Sequence, residues 1–313
     1  MYRMFVVRTI RRRAAMLAML ALLALLASAA AQADTPIHYT RAVAPDARIE
    51  IHNVKGDVRV TGWNRNEVQI EGSLGSGAQP LQVSGDAGAL DIRVESAGKS
   101  GWLGFSSDSD MGPTTLDVHV PRAAALDIHV VSAPVEIDGV DGRSVNVNTV
   151  SGRVHLGVSA DQVKVDSVSG DVDLAGSARG FEVQTVSGEV QAATLKGNVT
   201  AQTVSGDLLL HGAALGRVNL GTVSGRIQLD AAVAPAAAWK IDTMSGDVRI
   251  DLPPATSAQV KADTFSGDLH SDFGKPVSGN GPGEHLGTRL GNGNGSIVIN
   301  SFSGDVHIEH ATH

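Results

Sequence analysis

The sequence predicts an all-β fold, a β-solenoid with coils of about 18–21 residues and two main strands per coil. Three observations carry that expectation. A hexamer of the form Thr/Ser-Val-Ser-Gly-Asp-Val recurs through the middle and C-terminal half of the chain. The residues around it alternate apolar and polar with a period of two, the pattern of half-buried strands. Aromatic residues make up only 4% of the chain while glycine reaches 36 of 313 residues, a balance that suits many small stacked strands better than a bulky core.

The copies begin with Thr149-Val150-Ser151-Gly152-Arg153-Val154 and Ser167-Val168-Ser169-Gly170-Asp171-Val172. Their glycines are Gly152, Gly170, Gly188, Gly206, Gly225, Gly246, Gly267 and Gly304, spaced 18, 18, 18, 19, 21, 21 and 37 residues apart. Asn53-Val54-Lys55-Gly56-Asp57-Val58 reads as an outlying copy. Val83-Ser84-Gly85-Asp86 reads as another, and Val131-Ser132-Ala133-Pro134-Val135 as a degraded one. Within a unit, Val163 and Val165 alternate with Lys164 and Asp166, and Val172 and Leu174 resume the alternation after the bend. Glycine permits the backbone that the bend needs, and Ser and Thr can satisfy backbone groups there. One such unit cannot bury enough apolar surface to offset the entropy of ordering it, so the units must stack, strand on equivalent strand. A chain of hairpins forming a sandwich or meander is the alternative.

The first 33 residues have a different character. Arg3, Arg8, Arg11, Arg12 and Arg13 precede a leucine-rich run, and Ala31-Gln32-Ala33 follows as a small-residue cleavage pattern. Residues 1–33 therefore read as a secretory signal peptide, with an uncleaved anchor as the alternative. Cleavage removes five basic residues and leaves 20 Lys+Arg against 33 Asp+Glu, a net charge of −13. So acidic a chain is a poor partner for nucleic acid or anionic lipid. The absence of cysteine excludes disulfides, thiolate chemistry and an N-terminal lipoprotein anchor.

Residues 34–125 are less regular and read as an N-terminal β region or cap of the solenoid. Strands are expected at 48–54, 68–71, 90–94 and 116–120. The Gly/Ser-rich stretch 96–115 is expected to be a loop that carries Trp102 and Phe105 outward. Residues 126–313 form the repeat solenoid, interrupted by a Gly-rich excursion at 274–295 that returns through 296–300.

The Val-Ser-Gly-Asp-Val units, with the closing run Ile297-Val298-Ile299-Asn300-Ser301-Phe302-Ser303-Gly304-Asp305-Val306, resemble the bacterial putative-adhesin family of β-strand repeat proteins, a domain of unknown function. The resemblance covers about residues 45–313. It implies an envelope or surface β-solenoid and brings no catalytic residues.

Enzyme motifs are missing: there is no G-x-S-x-G, no H-E-x-x-H and no P-loop. The serines belong to the repeat, so no catalytic residue and no cofactor is expected. The residue after each glycine carries charge, and stacking in chain order would run Arg153, Asp171, Glu189, Asp207, Arg226, Asp247, Asp268, Asp305. Asp171, Glu189 and Asp207 would then adjoin, and they either splay into water or hold a cation such as Ca²⁺. A melting temperature that calcium leaves unchanged removes the second option. His307 and His310, with His313, are a weaker metal candidate at the C-terminal end.

The expected role is a non-catalytic, exported adhesin or interaction scaffold of the periplasm or cell surface, contacting an envelope protein or a surface glycan. A periplasmic envelope-stress accessory protein and a polysaccharide-active β-helix enzyme are the alternatives. The enzyme would need sugar-stacking aromatics, and Trp63, Trp102 and Trp239 are dispersed.

Overall fold

The coil at 159–174 shows how the repeat makes its structure. The strand Ser159–Ser169 buries Val163, Val165 and Ser167 and turns Lys164, Asp166 and Val168 outward. Gly170 bends the chain at φ 135°, in the left-handed region that favours glycine. The strand Val172–Leu174 then buries Val172 and Leu174 and leaves Asp173 outside. Equivalent strands pair in parallel and in register from coil to coil: Val165 lies between Val147 and Val183, and Val172 between Val154 and Val190. Two strand columns result, a long one before the bend and a short one after it. This computed structural model describes residues 35–97, 111–278 and 282–311, and among them every regular element is a strand. The expected signal peptide at 1–33, Trp102, Phe105 and His313 lie outside the described residues.

A single column of valine, leucine and isoleucine runs between the two strand columns, with Phe181 and Trp239 as its largest members. Trp239 is usable there because its indole N–H donates to the Leu215 carbonyl at 3.2 Å, so burial leaves no orphan donor.

The stack departs from chain order at both ends. The strand Arg48–Trp63 forms one whole coil. Its first half pairs with Ala89–Val94 on one side and Ala125–Ser132 on the other, and its second half with Thr114–Pro121 and Val135–Asp138. The later strands Ala89–Val94 and Thr114–Pro121 therefore lie outside the earlier coil. Gln82–Gly85 and Glu67–Leu74 run antiparallel along its outer edges, which ends the ladder of parallel pairing. Thr114 and Thr115, expected in a loop, are instead paired with Gly56 and Asp57. Their branched side chains suit a strand, and the Thr114 hydroxyl accepts the Gly75 N–H at 3.0 Å.

At the other end, Gly295–Ser303 is inserted between Ile227–Ser245 and Ala258–Ser266, and Val306–His310 between Val248–Leu252 and Leu269–Ser271. The last copy of the repeat is thus stacked second from last. The Gly-rich stretch makes this possible: Val277–Ser278 and Glu284–Leu290 form an antiparallel hairpin that occupies the outer edge of Ala258–Ser266. With that edge taken, the returning strand pairs with the inner one. Stacking in simple chain order is corrected accordingly.

Candidate functional site

Each hexamer position has its own ladder along the stack. At the glycine position the coils touch backbone to backbone. A Cβ on Gly170 would lie 2.1 Å from the Gly152 carbonyl oxygen, and one on Gly188 2.2 Å from that of Gly170. The same close approach holds through Gly206, Gly225 and Gly246, then Gly304, then Gly267. The preceding Thr or Ser is buried, and several of its hydroxyls donate to carbonyls at the bend: Thr185 to Ser187 at 3.1 Å, Thr264 to Gly267 at 3.1 Å and Ser301 to Gly304 at 3.1 Å. The serine before glycine reaches the other way. Ser169 donates to the Val150 carbonyl of the preceding coil at 3.3 Å.

The charged position is also tied into the backbone. One oxygen of Asp171 accepts the Glu189 N–H at 3.1 Å, and one of Asp207 accepts the Arg226 N–H at 2.8 Å. Beyond them the order is Asp247, Asp305, Asp268, corrected from chain order. The Asp305 N–H donates to Asp247 at 3.1 Å and the Asp268 N–H to Asp305 at 2.9 Å. Arg153 and Arg226 flank the acidic run, 3.9 Å from Asp171 and Asp207 respectively. Asp171, Asp207, Asp247 and Asp305 thus hold successive bends together through charge-assisted hydrogen bonds.

The second hexamer position faces outward. Val131, Val150, Val168, Val186, Val204, Val223, Met244, Phe302 and Phe265 follow one another in stack order, each between 42% and 59% exposed. Phe302 and Phe265 are stacked, with ring centroids 4.9 Å apart and planes 6° from parallel. At about 4.8 Å per coil this apolar ladder is about 38 Å long. Isolated exposed apolar residues are ordinary, whereas a continuous row marks a contact surface. Beside its first part lies a groove of about 650 Å³ that runs from His52 and Arg93 past His129 and Asn148 to Gln184 and Val186. The groove has an apolar wall and a polar wall.

Sequence reasoning did not single out this ladder, although its signal was present. Since Val163, Val165 and Ser167 point inward, a period of two puts Val168 on the outside. It also passed over Glu50, His52 and His129, which adjoin on neighbouring coils. Of the C-terminal histidines, His307 stands 3.7 Å from Glu309 while His310 packs on Phe273 at 4.1 Å, so the described two are not brought together. Trp63 and Trp239 are also separated, the first against His119 and Arg65 and the second in the core.

The Toastrack DUF4097 family model matches residues 47–309, nearly the whole described solenoid. The chain belongs to the Toastrack DUF4097 family. No curated protein matches the sequence. Among solved structures, a putative adhesin from Bacteroides fragilis is similar at 14% identity and TM-score 0.37, over 88% of this chain and 97% of that one. A putative adhesin from Parabacteroides distasonis is similar at 12% and 0.36, over 89% and 98%. A putative cell adhesion protein from Clostridium sporogenes is similar at 10% and 0.24, over 88% and 100%. Within this Toastrack chain the recurring hexamer does two things, stacking backbone on backbone at its glycine and presenting an apolar ladder at its second position.

Proposed function

We propose that this Toastrack protein is an exported, non-catalytic interaction scaffold of the cell envelope, an adhesin in the broad sense, and that its working surface is the apolar ladder from Val131 to Phe265. The observation that carries this reading is the ladder itself: the row is maintained in coil after coil although every member is exposed. Water penalises such a row, and a partner that covers it recovers the cost. Most of the row is valine, which offers no platform for a sugar ring, so an envelope protein with a complementary apolar strip fits better than a glycan. The Ser169 and Thr185 hydroxyls and the Asp171 and Asp207 carboxylates bond to backbone groups, which supports a structural role for the polar positions of the repeat.

Photo-crosslinking in intact cells tests the reading. A crosslinker at Val168 or Val204 is expected to give one discrete adduct. The same group at exposed Gln191, on the short strand column, is expected to give none. Adducts at Gln191 but not at the ladder positions would reject the ladder as the contact surface. Protease treatment of whole cells against osmotically opened cells then separates a surface position from a periplasmic one.

A further inference from the structure

We propose that Glu50, His52 and His129 form a binding site for a divalent transition metal of the zinc type. The site follows from register. In the parallel pairing of Arg48–Trp63 with Ala125–Ser132, Glu50 lies beside Asp127 and His52 beside His129. Buried Ile49, Ile51, Leu126 and Ile128 alternate with these residues, so all four side chains stand on the outer face. The two imidazoles stack with centroids 4.7 Å apart and planes 10° from parallel. His52 Nε2 is 2.7 Å from Glu50 Oε1. One ligating atom from each of Glu50, His52 and His129 lies within 4.8 Å of the other two.

Two imidazoles and one carboxylate are a nitrogen-rich set that favours zinc, nickel or copper over magnesium or calcium, which take oxygen ligands. Tetrahedral zinc would draw the ligating atoms to roughly 3.3 Å apart, from metal–ligand bonds of about 2.0–2.1 Å. Side-chain rotation supplies that closure with the strands fixed, since all three groups are only half-buried. The surroundings suit a cation. Asp127 lies 3.1 Å from His129 Nε2 and accepts from Arg48 at 2.5 Å, which places a second carboxylate beside the same imidazole. Arg93, the register partner of His52 in the next coil, is paired with Asp91 at 2.9 Å. A bound ion would clip the coil at 48–63 to the coil at 125–138 through residues 77 positions apart and close a long loop. It would also sit at the head of the groove beside the apolar ladder.

Isothermal titration of the tag-free protein with Zn²⁺ tests the site, with Mg²⁺ and Ca²⁺ as controls. The expected result is one saturable zinc per chain, a raised melting temperature, and no response to the other two ions. His129→Gln and Glu50→Gln are each expected to weaken binding by about tenfold or more. His155→Gln, on the other strand column beside Asp173, is expected to bind zinc like the parent. Circular dichroism of each variant separates loss of the site from loss of the fold, and Glu50→Gln leaves both stacked imidazoles in place. No saturable zinc binding in the micromolar range, or parental affinity in a folded His129→Gln protein, would overturn the proposal.

Discussion

Gly188 is required at its bend for two separate reasons. At Gly188 the backbone takes φ 126°, and a Cβ would meet the Gly170 carbonyl oxygen at 2.2 Å. Neither problem can be relieved by a side-chain rotation, because the opposing atoms are backbone. Gly188→Ala is therefore expected to cost about 2 kcal/mol or more in urea unfolding. Gly287 gives the contrast: nothing lies within 4 Å of its would-be Cβ, so Gly287→Ala is expected to stay within about 0.5 kcal/mol of the parent. The bend and its glycines are legible in the sequence because the need for them is local. The partner of each aspartate is not, because the accepted N–H comes from another coil.

The hairpin over the C-terminal end is fastened by a cluster of charges. Asp263 on the strand Ala258–Ser266 lies 2.7 Å from His285 and 2.8 Å from Lys261. Burial alone would raise the Asp263 carboxyl, but the hydrogen bonds from Lys261 and His285 outweigh it and hold the group below its ordinary value. A carboxyl lower in the folded than in the unfolded chain adds stability that is fully present above the unfolded value, about 3.9. That contribution is lost as the pH falls through the folded value. Amide exchange in the strand Glu284–Leu290 is thus expected to accelerate, relative to the neighbouring coils, as acid is added below about pH 4. Asp263→Asn is expected to flatten that acid dependence, and an unchanged profile would show that the carboxylate does not fasten the hairpin. The Gly-rich composition of 274–295 suggests a departure from the stack. It could not show that the departure ends as an antiparallel strand, because Glu284–Leu290 has few β-branched residues and is fixed by its pairing partner.

At the scale of the whole molecule each coil contacts only its neighbours, so stability is close to a sum over coils and their interfaces. Removing residues 170–187 deletes one period of 18 and joins Ser169 to Gly188, which regenerates the hexamer in register. The shortened protein is expected to keep its β circular dichroism and unfold in one transition at a somewhat lower temperature. A deletion of half that length reverses the inward and outward sets of every following strand and is expected to give an unfolded or aggregated product. The apolar ladder belongs to this scale as well. One exposed valine signifies little, and only the register of successive coils turns it into a surface.

The sequence by itself determined the all-β class, the coil length, the two strands per coil and the glycine at each bend. All of these follow from a period of two and from backbone chemistry within a few residues. The tertiary structure decided which coils are neighbours. Near-identical hexamers offer near-identical edges, so nothing local tells the copy at Gly304 to lie between those at Gly246 and Gly267. The choice is made by the hairpin that takes the outer edge, and at the other end by Ala89–Val94 and Thr114–Pro121 pairing along the outer side of the coil at 48–63. That second choice sets His52 against His129, residues that only long-range pairing could bring together.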